Sequence, residues 1–508
     1  MNTDTQISAP PRDVEFQIKR WLPVLGGVIL AVAAGYWIGN SDWTPLNRLS
    51  TVVVVCMVAF GLQERGWILI PSLWFVTGSI AVLPVPFAYR DLGILLAAAA
   101  YVAHRCMVKT QPVKWGHPLD YLVALNVMWA LVTWLRHPVG LLIFQSEMVG
   151  ARIYFNIVLA TIAAWILVQQ PRSSAQVRRL PYYLLIGSLV PGVLSLIIFA
   201  LPSAEPLLVM LHREQLDIRE IYQQEVVRFR SLAPFGVVLM LILLSRHRLG
   251  DLCNPLRGRF WLFLFSLLCQ LISGYRIAAG RIIGDVAMAA WFKGGLRQLL
   301  GITLVLSLVL GAVVAGQGRL YSLPLPVQRA LSFLPGKWSP VAVADVGEDV
   351  FGGGREGRFR WWKDVVKYNL IEDWWFGDGI GVRLSEMGIV SEIGRYNFTH
   401  IAEFYGMWHN GPITTIRSVG LVGLGLLLTL MGVTCRSAWQ CLKKARGTPF
   451  EWLAIYLLIE SVWHPLCFVV LFGDYGTDMP ELIFRAALVR LLARMINETT
   501  AETSAKTV

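Results

Sequence analysis

The sequence predicts an all-α protein that crosses a membrane many times. Of its 508 residues, 55% are hydrophobic and only 15% are charged, whereas roughly a quarter are charged in a typical soluble domain. The mean hydropathy is +0.56. Apolar runs long enough to cross roughly 30 Å of hydrocarbon recur from Leu22 to Leu471. A single signal peptide would give only one short run near the N-terminus.

The apolar runs between polar breaks predict about 12 to 14 transmembrane helices. They lie near residues 22–39, 50–64, 67–86, 91–103, 119–135, 153–168, 180–200, 233–245, 260–275, 277–292, 299–316, 413–434, 451–472 and 480–496. The run at 277–292 carries Arg281 and Asp285 and could be a broken or re-entrant helix. It is retained as a crossing because every later loop would otherwise change sides.

The short loops orient the chain, since Lys and Arg concentrate on the cytoplasmic side of membrane proteins. With the N-terminus inside, every inside turn is basic. These turns hold Lys19, Arg20, Arg65, Arg105, Lys109, Lys114, Arg172, Arg178, Arg179, Arg246, Arg248, Arg257, Arg259, Lys293, Arg297, Arg436, Lys443, Lys444 and Arg446. Topology therefore explains the net charge of +12 better than nucleic-acid binding does.

This orientation divides the chain into five parts. Residues 1–21 form a cytoplasmic segment, 22–316 a membrane bundle with an outside loop at 201–232, 317–412 an extracytoplasmic helical cap, 413–496 the C-terminal membrane helices and 497–508 a disordered tail. In the cap, the sequence RWWKDVVKYNLIEDWW places Trp362, Val365, Val366, Asn369 and Leu370 on one helical face. The tryptophans of the cap, Trp408 among them, suit the headgroup level of a bilayer.

Three features on the predicted outside face contain residues suited to chemistry. The first is SGYR at Ser273–Arg276, where an arginine ends a span. The second is GREGRFRWW at 354–362, followed by GDGIG at 377–381. The third is WHNGPITTIRSVGLVGL at 408–424, where a His-Asn pair stands at the point of re-entry into the membrane.

In the order and spacing of these features, the second half of the chain resembles the O-antigen ligase and polymerase family of bacterial membrane glycosyltransferases. In that family a His-Asn pair opens a helix with a later G-x-x-G turn, matched by His409 and residues 420–423. An arginine four residues before a tryptophan and then a Gly-x-Gly turn are matched by Arg358, Trp362 and residues 377–379. A Ser-x-x-Arg at an outer helix end is matched at Ser273–Arg276.

The resemblance implies a GT-C-like fold in a bacterial inner membrane, with the active site on the periplasmic face and a role in lipopolysaccharide or other cell-surface polysaccharide biosynthesis. The reaction would transfer a glycan from a polyprenyl (undecaprenyl) diphosphate carrier to the hydroxyl of a lipid, glycan or protein acceptor. Arginine forks suit a diphosphate leaving group, and a histidine suits removal of the hydroxyl proton. The catalytic candidates are His409, Arg358 and Arg276.

Four more residues are candidates for substrate binding, namely Asn410, Arg228, Arg230 and Trp362. No metal site and no cofactor is predicted, because His400, Glu403 and His409 do not form a recognised ligand set. The seven cysteines include no CxxC pair, so a disulfide framework is not expected.

Structural readings compete with each of these assignments. Arg276 could be a snorkelling anchor, Arg358 a cation-π partner of the neighbouring tryptophans, and His409 a polar boundary residue. A surface helix would explain Arg228 and Arg230. The in-order match to the family favours the functional reading for Arg276, Arg358 and His409.

Other functions stay open at this stage. A repeat-unit polymerase of the same class is the nearest alternative to a ligase, and an oligosaccharyltransferase would need a metal motif that the first outside loop lacks. A glycan exporter would carry charged residues within its spans and broken helices in corresponding halves.

Overall fold

The computed structural model describes residues 57–76, 78, 88–108, 115–141, 150–170, 173–204, 228–344, 362–381, 408, 410–470 and 473–507. By internal contacts the chain divides into Met1–Gln63 and Glu64–Val508, and the second unit is described below. The predicted spans at 22–39 and most of 50–64, the predicted outside loop from 205 to 227, Arg358 and His409 lie outside the described residues.

Every regular element in the described part of the chain is a helix. In chain order they are α1 (Leu69–Leu73), α2 (Tyr89–Met107), α3 (Pro118–Arg136), α4 (Arg152–Gln169), α5 (Ser174–Arg178), α6 (Leu180–Ala200), α7 (Leu232–Arg246), α8 (Leu249–Leu252), α9 (Gly258–Ile272), α10 (Arg276–Gly316), α11 (Leu325–Leu331), α12 (Pro340–Ala344), α13 (Gly411–Ala445), α14 (Glu451–Val470) and α15 (Tyr475–Thr507). Two 3-10 segments, Gln63–Ile68 and Pro202–Ala204, and helical residues at 57–62 and 362–367 are also described. The predicted all-α class is confirmed for these residues.

Six of the described helical stretches are long and apolar enough to cross a membrane. They are Pro118–Arg136, Arg152–Gln169, Ser174–Ala200, Arg276–Gly316, Gly411–Ala445 and Glu451–Val470. The apolar helices α7 and α9 have 15 residues each, and α2 and α15 cover two further predicted spans. These helices are compatible with a multi-pass membrane protein. The predicted count of 12 to 14 transmembrane helices stays a prediction.

The 41-residue helix α10 is two arms that reverse direction. Gly295 between them has φ 64° and ψ −156°, outside the helical region. Ala279 in the first arm and Val313 in the second belong to one apolar cluster around Val327 and Leu331. In a straight helix they would lie about 51 Å apart at 1.5 Å per residue, so the chain folds back at Gly295. The two arms coincide with the predicted spans 277–292 and 299–316.

The second arm of α10 shows what surrounds the bundle. Leu300, Leu304 and Leu308 are 61%, 62% and 66% exposed, and few residues of this apolar arm are buried. A helix that is apolar on its exposed face is stable in hydrocarbon and unfavourable in water. The burial pattern therefore agrees with a lipid-facing position.

The core of the bundle lies around α13, α14 and α15. Seven consecutive residues of α14, Leu453 to Ile459, are buried, which is the pattern of a helix covered on all sides. They pack with Leu427 and Met431 of α13 and with Leu488 and Leu491 of α15 in the main apolar cluster. This central position makes α14 the support for the helices that surround it.

The predicted helix in the cap is shorter than its apolar pattern suggests. Residues 362–367 are helical, and Asn369 has φ 49°, a left-handed conformation that commonly follows the end of a helix. Val365 is buried, but Val366 is 58% and Leu370 41% exposed. The helix ends before Asn369 and Leu370, so only Trp362, Val365 and Val366 of the predicted helical face lie within it.

Candidate functional site

The turn between α9 and α10 is built by the sequence Ser273–Arg276. The Ser273 hydroxyl donates to the Gln270 carbonyl oxygen at 2.6 Å and accepts from the Tyr275 N–H at 3.5 Å. Gly274 has φ 72°, and a Cβ at that position would lie 3.2 Å from Cγ of Arg228. Glycine is therefore favoured here by conformation and by space. The result is a tight turn that presents Arg276 as the first residue of α10.

Both arginines predicted to bind substrate, Arg228 and Arg230, pack against this turn. Arg228 is 8% exposed and packs on Gly274. The N–H of Phe229 donates to the Ile272 carbonyl oxygen at 3.4 Å, and the Arg230 guanidinium lies 5.5 Å from the ring centre of Tyr275. The segment before α7 is thus anchored to the start of α10, and Arg228, Arg230 and Arg276 share one end of the bundle.

Arg276 is held by the helix that follows α10. Its Nε donates to the Ser332 hydroxyl oxygen at 3.1 Å, and Ser332 caps α11. This contact fixes the side chain beside the turn instead of leaving it to extend into lipid. A fixed guanidinium is the form that binds a phosphate oxygen with the least loss of conformational entropy.

The start of α13 is the second predicted region, and its described residues have structural roles. The indole N–H of Trp362 donates to the Trp408 carbonyl oxygen at 2.8 Å. The Asn410 side-chain oxygen accepts from the Ile413 N–H at 2.9 Å, which caps α13. Trp408 is 1% exposed and packs with Val365 and Ile416, so protein covers its ring, and the headgroup level expected for the cap stays a prediction.

These contacts constrain the two catalytic candidates that lie outside the described residues. His409 stands between Trp408, which is buried, and Asn410, which caps α13. Arg358 precedes the helical segment that begins at Trp362. The apolar cluster of Ile272 and Ala279, on either side of Arg276 in the chain, is separate from the cluster of Trp408 among the described residues. The predicted grouping of Arg276, Arg358 and His409 stays a prediction.

The two glycine motifs of the second half of the chain contact each other. Helix α13 breaks at Gly420, with φ 73° and ψ 179°. A Cβ on Gly420 would lie 2.1 Å from the Trp375 carbonyl oxygen, and a Cβ on Gly377 would lie 2.6 Å from the Gly420 nitrogen. Both positions therefore require glycine for close backbone approach.

The break in α13 also frees backbone groups, and the loop around Gly377 satisfies them. The N–H groups of Leu421 and Val422 donate to the carbonyl oxygens of Trp374 and Trp375, at 2.8 and 3.3 Å. In return the Asp378 N–H donates to the Arg417 carbonyl oxygen at 2.7 Å. A buried helix break needs such partners. The loop at 372–381 is thus an integral part of the broken helix.

Two carboxylates shape this loop. Asp373 accepts from the N–H groups of Trp375 and Phe376 at 3.1 and 3.0 Å, and Asp378 accepts from the N–H of Asp373 at 2.8 Å. The N–H of Phe376, and then the guanidinium of Arg136, hold the pKa of the Asp373 carboxyl below its usual range. Asp373 is therefore ionised throughout the neutral range.

The end of α3 clamps the same loop from the other side. Arg136 donates to the Asp373 carboxylate at 2.8 Å and lies 4.8 Å from the ring centre of Phe376. The Trp129 indole N–H donates to the Val419 carbonyl oxygen at 2.9 Å, next to the break. One loop therefore joins α3 to α13 at this end of the bundle.

A cluster of charged side chains lies inside the bundle, between α10, α14 and α15. Glu460, in the middle of α14, forms ion pairs with both Arg281 and Arg485. Arg281 also pairs with Asp285 at 3.4 Å, and Arg485 with Glu481 at 2.9 Å. His464, one turn from Glu460, hydrogen-bonds to Asp478 at 2.7 Å. Charges so deep in a bundle need partners, and here three helices share them.

Sequence reasoning missed several of these residues. Arg136, Asp373 and Asp378 were passed over because nothing in the sequence indicates that the end of α3 meets a loop more than 200 residues later. Glu481 and Arg485 lie inside the predicted span 480–496 and could have been recognised as intramembrane charges. Among the described residues no group of three or more His, Cys, Asp and Glu side chains could hold a metal ion.

Comparison with known proteins identifies no relative of this chain. No protein-family model matches the chain, and no curated protein matches it. The functional assignment below therefore depends on the residues themselves and on the motif resemblance.

Proposed function

We propose that this chain is an inner-membrane glycosyltransferase of the O-antigen ligase type, active on the periplasmic face of a bacterial inner membrane. It would transfer a glycan from a polyprenyl diphosphate carrier to an acceptor hydroxyl, without a metal or another cofactor. The proposal rests on the order of the sequence motifs. One structural observation supports it further: Arg228 and Arg230 pack against the turn that ends in Arg276.

Three arginines on one turn suit a diphosphate. The pyrophosphate oxygens carry several negative charges, and guanidinium groups bind them through paired, charge-assisted hydrogen bonds. Arg228 and Arg276 are fixed by packing on Gly274 and by the bond to Ser332. Preorganised donors stabilise charge that develops in a transition state better than mobile ones do.

The reaction follows from these roles. The acceptor oxygen attacks the anomeric carbon as the bond from that carbon to the diphosphate oxygen breaks. The proton of the acceptor hydroxyl goes to His409, and the electron pair of the broken bond goes to the polyprenyl diphosphate, whose growing charge Arg276 and Arg358 stabilise. Arg228 and Arg230 hold the outer phosphate or the first sugar.

The contact between the Gly377 loop and the Gly420 break supports the resemblance. Gly377 and Gly420 belong to two motifs that the resemblance singles out, and a Cβ added to Gly377 would lie 2.6 Å from the Gly420 nitrogen. The break gives α13 a short first arm, which Asn410 caps. This arm is where the proposed acceptor base would work.

The test is a transfer assay with purified protein in proteoliposomes, supplied with a polyprenyl diphosphate-linked glycan and candidate acceptors. Replacing Arg276 with Ala should lower the transfer rate by about 100-fold or more, the scale for removal of a charge-stabilising donor. Replacing it with Lys should recover only part of the rate, because an ammonium lacks the bidentate fork. Replacing His409 with Ala should lower the rate by about 100- to 10,000-fold.

The matched control is Arg257→Ala. Arg257 is held by a side-chain partner too, Asp251, but it lies in a predicted inside turn away from the proposed site, and transfer should be unchanged. Full activity in folded, inserted Arg276→Ala and His409→Ala variants would refute the assigned roles. Loss of polymer length in a deletion strain would indicate a polymerase, and accumulation of complete but unattached polymer a ligase.

The charge network inside the bundle favours a second candidate function, a glycan exporter. Transporters place ionisable residues within their spans and break the helices that carry their sites. Glu460 with Arg281 and Arg485 meets the first condition, and the break at Gly420 meets the second. The same proteoliposomes separate the two functions, because flux of the lipid-linked glycan without covalent transfer would favour export.

A further inference from the structure

A groove between α3, α4 and α15 lies at the end of the bundle where α4 finishes. Its cavity volume is about 90 Å³. Its lining comes from the start of α3 (Leu119 and Val123), from the second half of α4 (Thr161 to Gln169) and from the middle of α15 (Ile483 to Arg490). None of these residues belongs to the motifs of the proposed glycosyltransferase site.

The lining changes in character along the groove. Toward the middle of the bundle the walls are Val123, Ile483 and the Cβ side of Thr161, whose hydroxyl donates to its own helix at Ile157. At the other end the lining becomes Asp120, Gln169 and Arg490. From Thr161 to Gln169 the length is about 12 Å at 1.5 Å per residue. That is close to the roughly 15 Å of one hydrocarbon leaflet.

Small side chains open the groove. Ala164 of α4 and Ala486 and Ala487 of α15 contribute small side chains to its lining. A helix is about 10 Å wide, which is too wide for a cavity of about 90 Å³. A single hydrocarbon chain is much narrower than a helix. The dimensions therefore favour a lipid chain over a helix from a second copy of the protein.

Two tryptophans mark the polar end of the groove as a membrane boundary. Trp115 and Trp165 both line it, with ring centres 5.8 Å apart, and they are 54% and 37% exposed. Tryptophan concentrates at the headgroup level of bilayers. The polar end therefore lies where a lipid headgroup would sit.

The charges at this end are mainly basic. Arg490 donates through Nε to Asp120 at 3.3 Å, and Arg494 pairs with Glu498 at 3.2 Å. Lys444 of α13 also lies here, with its ammonium 3.4 Å from the Asn497 side chain. Burial and then Arg490 hold the pKa of His117 below its usual range, so its ring adds no charge at neutral pH. Among the described side chains named here, three basic groups lie beside two carboxylates, an excess of one positive charge.

We propose that this groove is a binding site for an anionic glycerophospholipid of the bilayer, with one acyl chain between Ala164 and Ala487 and the phosphate on Arg490. A guanidinium carries five N–H donors, so a phosphate can bind Arg490 beside Asp120. Basic pockets between membrane helices on the cytoplasmic side are a recurrent form of phospholipid site. The predicted orientation puts this end of the bundle on that side.

The experiment is native mass spectrometry of the full chain, extracted from nanodiscs that contain equimolar phosphatidylglycerol and phosphatidylethanolamine. We expect at least one retained lipid, with phosphatidylglycerol enriched over the bulk ratio. Ala164→Phe fills the groove and should abolish retention. Arg490→Gln should weaken retention of phosphatidylglycerol by about fivefold, the factor for one arginine near an anionic lipid.

Two control variants separate this site from general lipid contact. Ala312→Phe enlarges an exposed alanine on the second arm of α10, and Arg257→Gln removes an arginine that pairs with an aspartate outside the groove. Both should retain lipid as the wild type does. Equal retention in Ala164→Phe, or equal amounts of the two lipids in the wild type, would refute the proposal. Lipid retention is measured without any transfer reaction. The lipid site can therefore be refuted while the proposed glycosyltransferase activity holds, and the reverse.

Discussion

Single side chains hold the loop at 372–381, and Asp373 has the central role among them. Its carboxylate accepts hydrogen bonds from two backbone N–H groups and from the Arg136 guanidinium, so ionisation of this group stabilises the shape of the loop. Arg136 and Asp373 are each about one-third exposed, and water screens the ion pair in part. The hydrogen bonds from the two backbone N–H groups contribute the rest of the stabilisation that Asp373 gives the loop.

The ionisation of Asp373 makes the stability of the loop dependent on pH. A carboxyl with a depressed pKa in the folded state adds stability above its unfolded pKa of about 3.9, and the gain is lost as pH falls through the folded value. Asp373→Asn should therefore lower the thermal midpoint at pH 7, and the difference from wild type should close below about pH 4. Tryptophan fluorescence of protein in detergent measures both midpoints.

Asp364→Asn is the control for this prediction, since Asp364 lies nearby on the helical segment 362–367. It should leave the midpoint nearly unchanged at pH 7. A difference between Asp373→Asn and wild type that persists undiminished at pH 3 would show that the carboxylate charge is not what holds the loop.

At the element scale, the break in α13 is what joins the cap loop to the bundle. Gly420 adopts a conformation that other residues rarely reach, and its Cα lies against the Trp375 carbonyl. The short arm before the break carries the Asn410 cap, and the long arm after it packs in the core. The break therefore lets one helix meet the cap loop beside Gly420 and pack in the core along its long arm.

Gly420→Ala tests this interpretation. The positive φ and the 2.1 Å approach of the new Cβ to the Trp375 oxygen should together lower the free energy of unfolding by at least about 2 kcal/mol. Gly425→Ala is the matched control one turn later, where a Cβ meets nothing within 4 Å, and its effect should stay within about 1 kcal/mol. Equal effects of the two substitutions would contradict the assigned role of the break.

Helix α14 depends on its charge network in a different way. Glu460 is shared by Arg281 of α10 and Arg485 of α15, so removing it leaves two guanidinium groups without their common carboxylate. Glu460→Ala should lower the free energy of unfolding by about 3–5 kcal/mol.

Glu481→Ala provides the comparison for that loss. The Glu481 side chain is 41% exposed, and the pair it forms with Arg485 should contribute no more than about 1 kcal/mol. Both values can be obtained from chemical unfolding in mixed micelles. If Glu460→Ala proved as stable as Glu481→Ala, the network would not be what joins the three helices.

At the scale of the whole molecule, the orientation in the membrane rests on the basic turns. Cys106 and Cys253 are exposed and lie in turns predicted to face the cytoplasm. A membrane-impermeant maleimide should label them in inverted vesicles and not in intact spheroplasts. The Cys106→Ser and Cys253→Ser double variant should lose that label, and labelling of these two residues from outside would reverse the predicted topology.

The sequence by itself determined the class of the protein and the position of most helices. Apolar length and the absence of charge are local properties, and a membrane requires helices to satisfy their own backbone hydrogen bonds. The spans at 119–135, 153–168, 180–200 and 451–472 therefore match α3, α4, α6 and α14 to within a few residues. The motif resemblance singled out the segments that contain Gly274, Gly377 and Gly420, and each of these glycines has a positive φ.

Only the tertiary structure decided which of these residues meet. The contact of Gly377 with Gly420, the packing of Arg228 on Gly274 and the salt bridge from Arg136 to Asp373 join parts of the chain 43 to 237 residues apart. The three-helix charge network and the lipid-sized groove arise in the same way. Such contacts depend on how helices pack, and no local pattern of apolar residues specifies the neighbour of a helix that is apolar on most of its surface. For that physical reason the membrane class could be read from the sequence and the arrangement of the site could not.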